Sequence, residues 1–306
     1  MYSVKLNEFT HLIDLQPADL KHFIASYVLR GNKVAIVETG PVCTVSNLLA
    51  GLQETNIELR EIDYVLISHI HVDHAGGAGT LLQHLPNAKL LVHARGAPHM
   101  ANPDRLWRQT KQILGSVAEL YGGFEPVPQE RIVVVGDGMT FDLGEGVELK
   151  VLETLGHASH HLSFYEKRSG AIFSGDAAGI YLDKFDVTIP TTPAPFHLGV
   201  ALASIQKLIE LSPKQLCYTH FGPANRAVER LQAYVDQLKL WAEIVQGGMR
   251  KGEDLNTIYR EILERDDSTR VAADFIQSHQ IFRRGIIIQN IQGFVKYFNK
   301  TSKFER

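Results

Sequence analysis

The feature that most limits this chain is the segment Ser68-His69-Ile70-His71-Val72-Asp73-His74-Ala75-Gly76-Gly77, which follows directly on the apolar run at 62–67. The isoleucine, tyrosine, valine and leucine of that run favour an extended strand, and the residues after the segment read as a helix. A strand end delivers its side chains to one rim of a sheet, the place where open α/β architectures put their ligands. His69 and His71, two residues apart, point the same way off an extended backbone. Asp73 and His74 turn toward a second point as the chain enters the helix. Neutral imidazoles with a carboxylate suit a borderline divalent ion such as zinc.

Further donors are expected at later strand ends. His157 stands in Glu153-Thr154-Leu155-Gly156-His157-Ala158-Ser159-His160-His161, just past a strand-like run ending at Leu152. Asp176 follows Phe173-Ser174-Gly175, and His220 follows Cys217-Tyr218-Thr219. Each is the first metal-competent group beyond a run of β-branched or aromatic residues. Alone, each reads more readily as structural; beside the first cluster they read as ligands.

The remaining strand-like runs lie at 33–37, 89–92, 131–135, 147–152, 171–173 and 215–218, with helical spacing at 44–53 and 199–211. Asp142-Leu143-Gly144-Glu145-Gly146 has the composition of a tight hairpin turn. This mixture predicts an α+β fold in which two sheets pack face to face under helices. One helix over 102–121, with Leu106, Trp107, Ile113, Leu114, Val117 and Leu120 on its apolar side, interrupts the rhythm as part of an insert at 99–130. Beyond His220-Phe221-Gly222-Pro223 the strand signals stop. An amphipathic helix at 226–246 and two or three more follow, so a catalytic domain is expected at 1–227 and a helical region at 228–306.

At 306 residues with a formal net charge of -3, the chain has no broad basic face, which argues against nucleic acid or a membrane surface as its partner. Nor is there an apolar run near the ~20 residues a membrane span needs, or an apolar leader at the N-terminus; a cytoplasmic protein is the expectation. Cys43 and Cys217 form no CxxC pair and sit among apolar neighbours, so both are expected to be buried free thiols.

These motifs resemble the metallo-β-lactamase superfamily, and within it the branch of glyoxalase II and the acyl-homoserine-lactone lactonases, over roughly residues 25–225. The resemblance implies a four-layer αββα sandwich with the site on one edge and a helical C-terminal extension. It implies two divalent metal ions, zinc first and iron or manganese as alternatives. His69, His71 and His157 would hold one, Asp73, His74 and His220 the other, and Asp176 would bridge both. The implied chemistry is hydrolysis of an ester, thioester or lactone in a small acyl substrate by a metal-bridging hydroxide, with Asp73 orienting the nucleophile and no serine or cysteine nucleophile needed. True β-lactamases of this fold carry other residues where Asp176 stands, and the flavodiiron branch has a glutamate where His71 stands. Mononuclear iron persulfide dioxygenases share the motif, and a phosphodiesterase is a further alternative. Glu38-Thr39-Gly40 falls where many relatives have an aspartate-containing turn.

His161 matches the second histidine of a familiar family segment and is expected to be structural. His160 departs from that segment, and His84, His93 and His99 are expected to be ordinary, though His93 or His99 could line a pocket. The insert, the segment 180–185 and the C-terminal helices are the expected substrate-facing parts, and a homo-oligomer is possible. Arg283, Arg284, Lys296, Lys300, Lys303 and Arg306 make the C-terminus locally basic, which reads as a solvated helix face.

Overall fold

The computed structural model describes residues 1–301. Its first sheet has seven strands in sequential order: β1 (Ser3–Lys5), β2 (Thr10–Asp14), β3 (Ala25–Arg30), β4 (Val34–Val37), β5 (Ile62–Leu66), β6 (Lys89–His93) and β7 (Ile132–Val135). The first four form an antiparallel meander, and the last three join in parallel. The Val-Ala-Ile-Val of β4 is buried throughout, as a strand covered on both faces requires.

The next strands are β8 (Thr140–Gly144), β9 (Val147–Glu153), β10 (Leu162–Glu166), β11 (Ala171–Gly175), the small β12 (Ile180–Leu182) and β13 (Val187–Ile189), then β14 (Gln215–Tyr218) and β15 (Gly222–Asn225). The second sheet runs β15-β14-β11-β10-β9-β8, while β12 and β13 pair separately. Between the two large sheets lies a core in which Tyr27, Leu29, Val37, Leu66 and Leu91 of the first sheet meet Val147, Leu149, Val151, Leu162, Phe164 and Phe173 of the second. On β9 these inward residues alternate with Glu148 and Lys150, the period of two that a strand with one buried face shows.

The outer faces of both sheets are covered by helices. These are α1 (Val45–Glu54), α2 (Val72–Ala75), α3 (Ala78–His84), α4 (Ala97–Ala101), α5 (Asp104–Leu114), α6 (Ser116–Tyr121), α7 (Leu198–Glu210), α8 (Ala227–Lys251), α9 (Leu255–Arg265), α10 (Asp267–Val271), α11 (Ala273–Ser278) and α12 (Ile286–Thr301). Outward residues such as Ile13, Ile36, Val65, Ile172 and Leu216 share one hydrophobic cluster with Leu48, Leu81, Ile205, Leu231 and Phe294. The result is the expected four-layer αββα sandwich with a helical C-terminal region. Among the described residues no helix is long and apolar enough to cross a membrane.

Several local expectations need correction. The single helix expected over 102–121 is two, because Gly115 takes φ 53 and ψ -125, a backbone conformation essentially reserved for glycine. None of the residues of α5 is buried, and Ile113 is 65% exposed. The strand signals do not stop at Pro223: β15 contains it, on the sheet edge where a missing N–H costs no ladder bond. Cys43 is exposed, since its 3-10 turn buries Thr44 instead, whereas Cys217 is buried. The first C-terminal helix reaches Lys251 and ends on Gly252 at φ 72, a left-handed cap. Lys303 and Arg306 lie outside the described residues.

Candidate metal centre

The end of β5 and the start of α2 carry His69, His71, Asp73 and His74 to the rim where the β9–β10 loop brings His157, the end of β11 brings Asp176, and the end of β14 brings His220. The seven side chains thus come from four separate strand ends and meet at one place. His69 Nε2 lies 2.9 Å from His71 Nδ1, and His157 Nε2 lies 3.1 Å from that same atom. On the other side, His220 Nε2 is 3.4 Å from Asp73 Oδ2, and His74 Nε2 is 4.0 Å from it. Ligand-capable atoms of His69, His71 and His157, and those of Asp73, His74 and His220, all lie within 4.8 Å of one another in each set.

Asp176 stands between the two sets. Its Oδ2 is 3.4 Å from His157 Nε2, and its Oδ1 is 3.3 Å from His74 Nε2 and 3.9 Å from His220 Nε2. Gly175, at φ 51, permits this placement: a Cβ there would come within 2.6 Å of the Ser68 Cβ and 2.7 Å of His161 Nε2.

Backbone carbonyls aim two of the imidazoles. His157 Nδ1 donates to Thr191 O at 2.9 Å and His220 Nδ1 to Phe23 O at 2.9 Å, which leaves each Nε2 lone pair facing the centre. His161 works one layer back. The Asp176 amide donates to His161 Nε2 at 3.0 Å, so Nδ1 carries the proton and donates to Thr154 Oγ1 at 2.8 Å. Thr154 then donates to Ser163 Oγ at 2.8 Å, and Ser163 to Ser174 O at 3.1 Å. That unbroken line of donors fixes the tautomer of a buried histidine and holds the backbone of Asp176.

Burial and mutual charge set the protonation of the centre. Burial holds His69 well below the usual histidine range, helped by the facing His74, and pushes His71 down to about 3. Burial would also depress His74, but Asp176, Glu38 and Asp73 around it raise it well above its ordinary value. Burial works against ionisation of Asp73 and Asp176 as well, and His74 chiefly overcomes it, holding both below the usual carboxylate range. His74 Nε2 and Asp176 Oδ1 are buried without a hydrogen-bond partner. Imidazole nitrogens and ionised carboxylates converging within 4.8 Å, with His74 Nε2 and Asp176 Oδ1 turned inward, fit divalent metal.

Two residues of the centre have roles that their local sequence did not signal. Glu38, fully buried at φ 70, places Oε1 3.4 Å from His74 Nδ1 and accepts from the Ser68 amide at 3.3 Å. A carboxylate behind a ligating histidine sets its tautomer and raises its basicity. Asn290 of α12 accepts from the Thr192 amide at 2.7 Å and donates to Pro190 O at 2.6 Å, clamping the loop whose Thr191 carbonyl aims His157. The position of Glu38 in a turn was visible in the sequence; its contact with His74 was not.

A cavity of about 740 Å³ opens over the centre. His71, Asp73, His157, Asp176 and His220 face it from one side, and the others include residues of 110–117, Tyr121, Ile180 and 281–290. Tyr181 does not line it; its ring stacks on Tyr218 and its hydroxyl donates to Asp186 at 2.7 Å. His160 lies beside the centre, its ring 6.3 Å from that of His69, with its Nδ1 buried and unpartnered. His93 accepts from the Arg95 amide at 3.0 Å and faces Glu153 at 3.4 Å, outside the centre, and His99 sits in α4.

The metallo-beta-lactamase superfamily model matches residues 21–220. A metallo-beta-lactamase fold-containing protein of Sulfurisphaera tokodaii is 30% identical over 246 residues, covering 78% of this chain and 89% of that protein. The crystal structure of an archaeal superfamily protein from Sulfolobus tokodaii aligns with TM-score 0.70 at 24% identity, covering 95% of this chain and 99% of the other. A metallo-beta-lactamase family protein from Thermus thermophilus aligns with TM-score 0.64 at 20% identity, over 91% of this chain and 89% of that one.

Proposed function

The chain belongs to the metallo-beta-lactamase superfamily of metal-dependent hydrolases, and on that premise we propose that it is a binuclear enzyme cleaving an ester, thioester or lactone bond in a small acyl compound. The observation that carries this reading is the placement of Asp176 between two three-residue sets, one carboxylate oxygen toward each, beneath the cavity. His69, His71 and His157 would hold one ion and Asp73, His74 and His220 the other, with Asp176 shared. Zinc suits this nitrogen-rich set, and iron or manganese is compatible with it. Bound there, the ions would supply Lewis acidity and an activated water near neutral pH.

The chain's own residues do the rest. Asp73 is the carboxylate of the centre that opens most to the cavity, with 26% of its side chain exposed, and it would orient the nucleophile. On the cavity floor His71, held low by burial, offers lone pairs rather than protons, and the bond from His157 Nδ1 to Thr191 O leaves its Nε2 lone pair facing the centre. Apolar residues along 113–117 and 281–286 exclude bulk water and hold an acyl chain. The ligand set is that of the glyoxalase II and lactonase branch, and persulfide dioxygenases share it, so metal count and turnover separate the two.

Metal analysis of the purified protein, combined with a screen of thioesters, lactones and phosphodiesters, tests the reading. Close to two metal equivalents with turnover of an acyl compound is the expected result. A single iron with sulfide-linked oxygen uptake would replace it with the persulfide dioxygenase reading, and turnover confined to phosphodiesters would replace the bond type.

A further inference from the structure

The cavity over the metal centre is not only apolar. Arg283 and Arg284, on the turn Phe282–Arg284 that precedes α12, also line it. Arg284 donates from Nη1 to the Ser116 hydroxyl of α6 and from Nε to Gln280 O at 3.2 Å, both neutral acceptors. For Arg283, no side-chain hydrogen bond or ion pair is formed among the described residues. The acidic residues that line the cavity are Asp73 and Asp176, and both face the metal centre. Among the described residues, two guanidinium groups therefore border this space with no carboxylate to neutralise them.

We propose that Arg283 and Arg284 bind an anionic group of the substrate, so that the enzyme prefers acyl compounds that carry a carboxylate or a phosphate at the end remote from the scissile bond. This rests on the hydrolase reading above. A guanidinium presents a planar fork of donors that matches either anion bidentately, a geometry the single Ser116 hydroxyl cannot offer Arg284. Exchange of the serine for an anion would therefore favour binding. A cavity of about 740 Å³ is of the size that takes a whole small molecule, so one ligand can reach both the floor and the arginines.

The test uses the full, metal-loaded enzyme and acyl thioesters of equal length ending in a carboxylate, a phosphate or the uncharged methyl ester. The expected result is a kcat/KM about ten-fold or more higher for one or both anionic members, carried by KM and reduced at high salt. In Arg283→Ala/Arg284→Ala the ratio of anionic to neutral kcat/KM should fall by about ten-fold, with metal content retained; the lysine pair should restore part of it. The relative rates of carboxylate and phosphate members identify which anion is recognised. An unchanged ratio in the alanine variant would overturn the proposal and leave the hydrolase reading standing. If no thioester is cleaved, the thioester is excluded as the scissile bond, and titration calorimetry with glutarate and with inorganic phosphate decides the arginines' role. Binding of either weakened about ten-fold in the alanine variant supports the anion site, and equal binding to both proteins removes it.

Discussion

The floor and the wall of one cavity are built in opposite ways. On the floor and just behind it, His69, His74 and His161 are fully buried, and His157 and Asp176 nearly so, each held by a hydrogen bond or ion pair to a group that is itself buried. On the wall, α5 has no buried residue, Ile113 is 65% exposed, and the tie between the insert and the C-terminal turn is the bond from Arg284 to Ser116. The floor resists displacement because any shift leaves buried polar atoms unpaired, whereas the wall can shift at the expense of a few exposed contacts. On the proposed function, chemistry would sit on the rigid part and substrate selection on the adjustable part.

The sharpest way to break this contrast is at its centre. Asp176→Ala should lower metal content and reduce hydrolysis by about a thousand-fold or more, with the circular dichroism spectrum retained. Substantial residual activity in that variant would show that Asp176 does not join the two sets.

Glu38→Gln probes the floor one layer back. The amide keeps the shape but loses the charge facing His74, and metal affinity is expected to fall by about 10–100-fold in chelator competition. Affinity equal to that of the parent would reduce Glu38 to a packing residue.

Asn290→Leu tests whether the C-terminal helix supports the floor. It removes two buried hydrogen bonds and leaves the Thr192 amide and the Pro190 carbonyl without partners, a loss of about 2–4 kcal/mol in urea unfolding. Metal affinity should fall with it, because the same loop aims His157. A drop in stability at constant metal affinity would separate the helix from the centre.

The smallest effect is expected on the wall. Gly115→Ala meets no atom within 4 Å but must adopt φ 53, a strain of about 1–3 kcal/mol. Because α5 is loosely held, that strain should be relieved locally, so KM changes while the metal content and the unfolding midpoint stay close to those of the parent. A large loss of global stability would place α5 in the cooperative core.

Much of the floor was legible because the candidate ligands follow directly on four strands. The runs at 62–67, 147–152, 171–173 and 215–218 are short, apolar and β-branched or aromatic, and the donors that follow them stand where those strands end in the structure. Other strands carry weaker local signals: β10 mixes serine and glutamate with its apolar residues, and β15 is Gly-Pro-Ala-Asn, a strand only through its pairing with β14. The break at Gly115 is hidden in the sequence because an apolar stripe of helical period continues across it.

The order of donors along the chain, their spacing and the strands that present them were determined by the sequence alone, because spacing within one segment needs only local geometry. Tertiary structure alone decided that Glu38 backs His74, that Asn290 holds the loop behind His157 from 98 residues away, and that Arg283 and Arg284 line the cavity. Those contacts join segments with no shared periodicity, and they exist only once burial of the two sheets' faces has fixed the path of the chain between them.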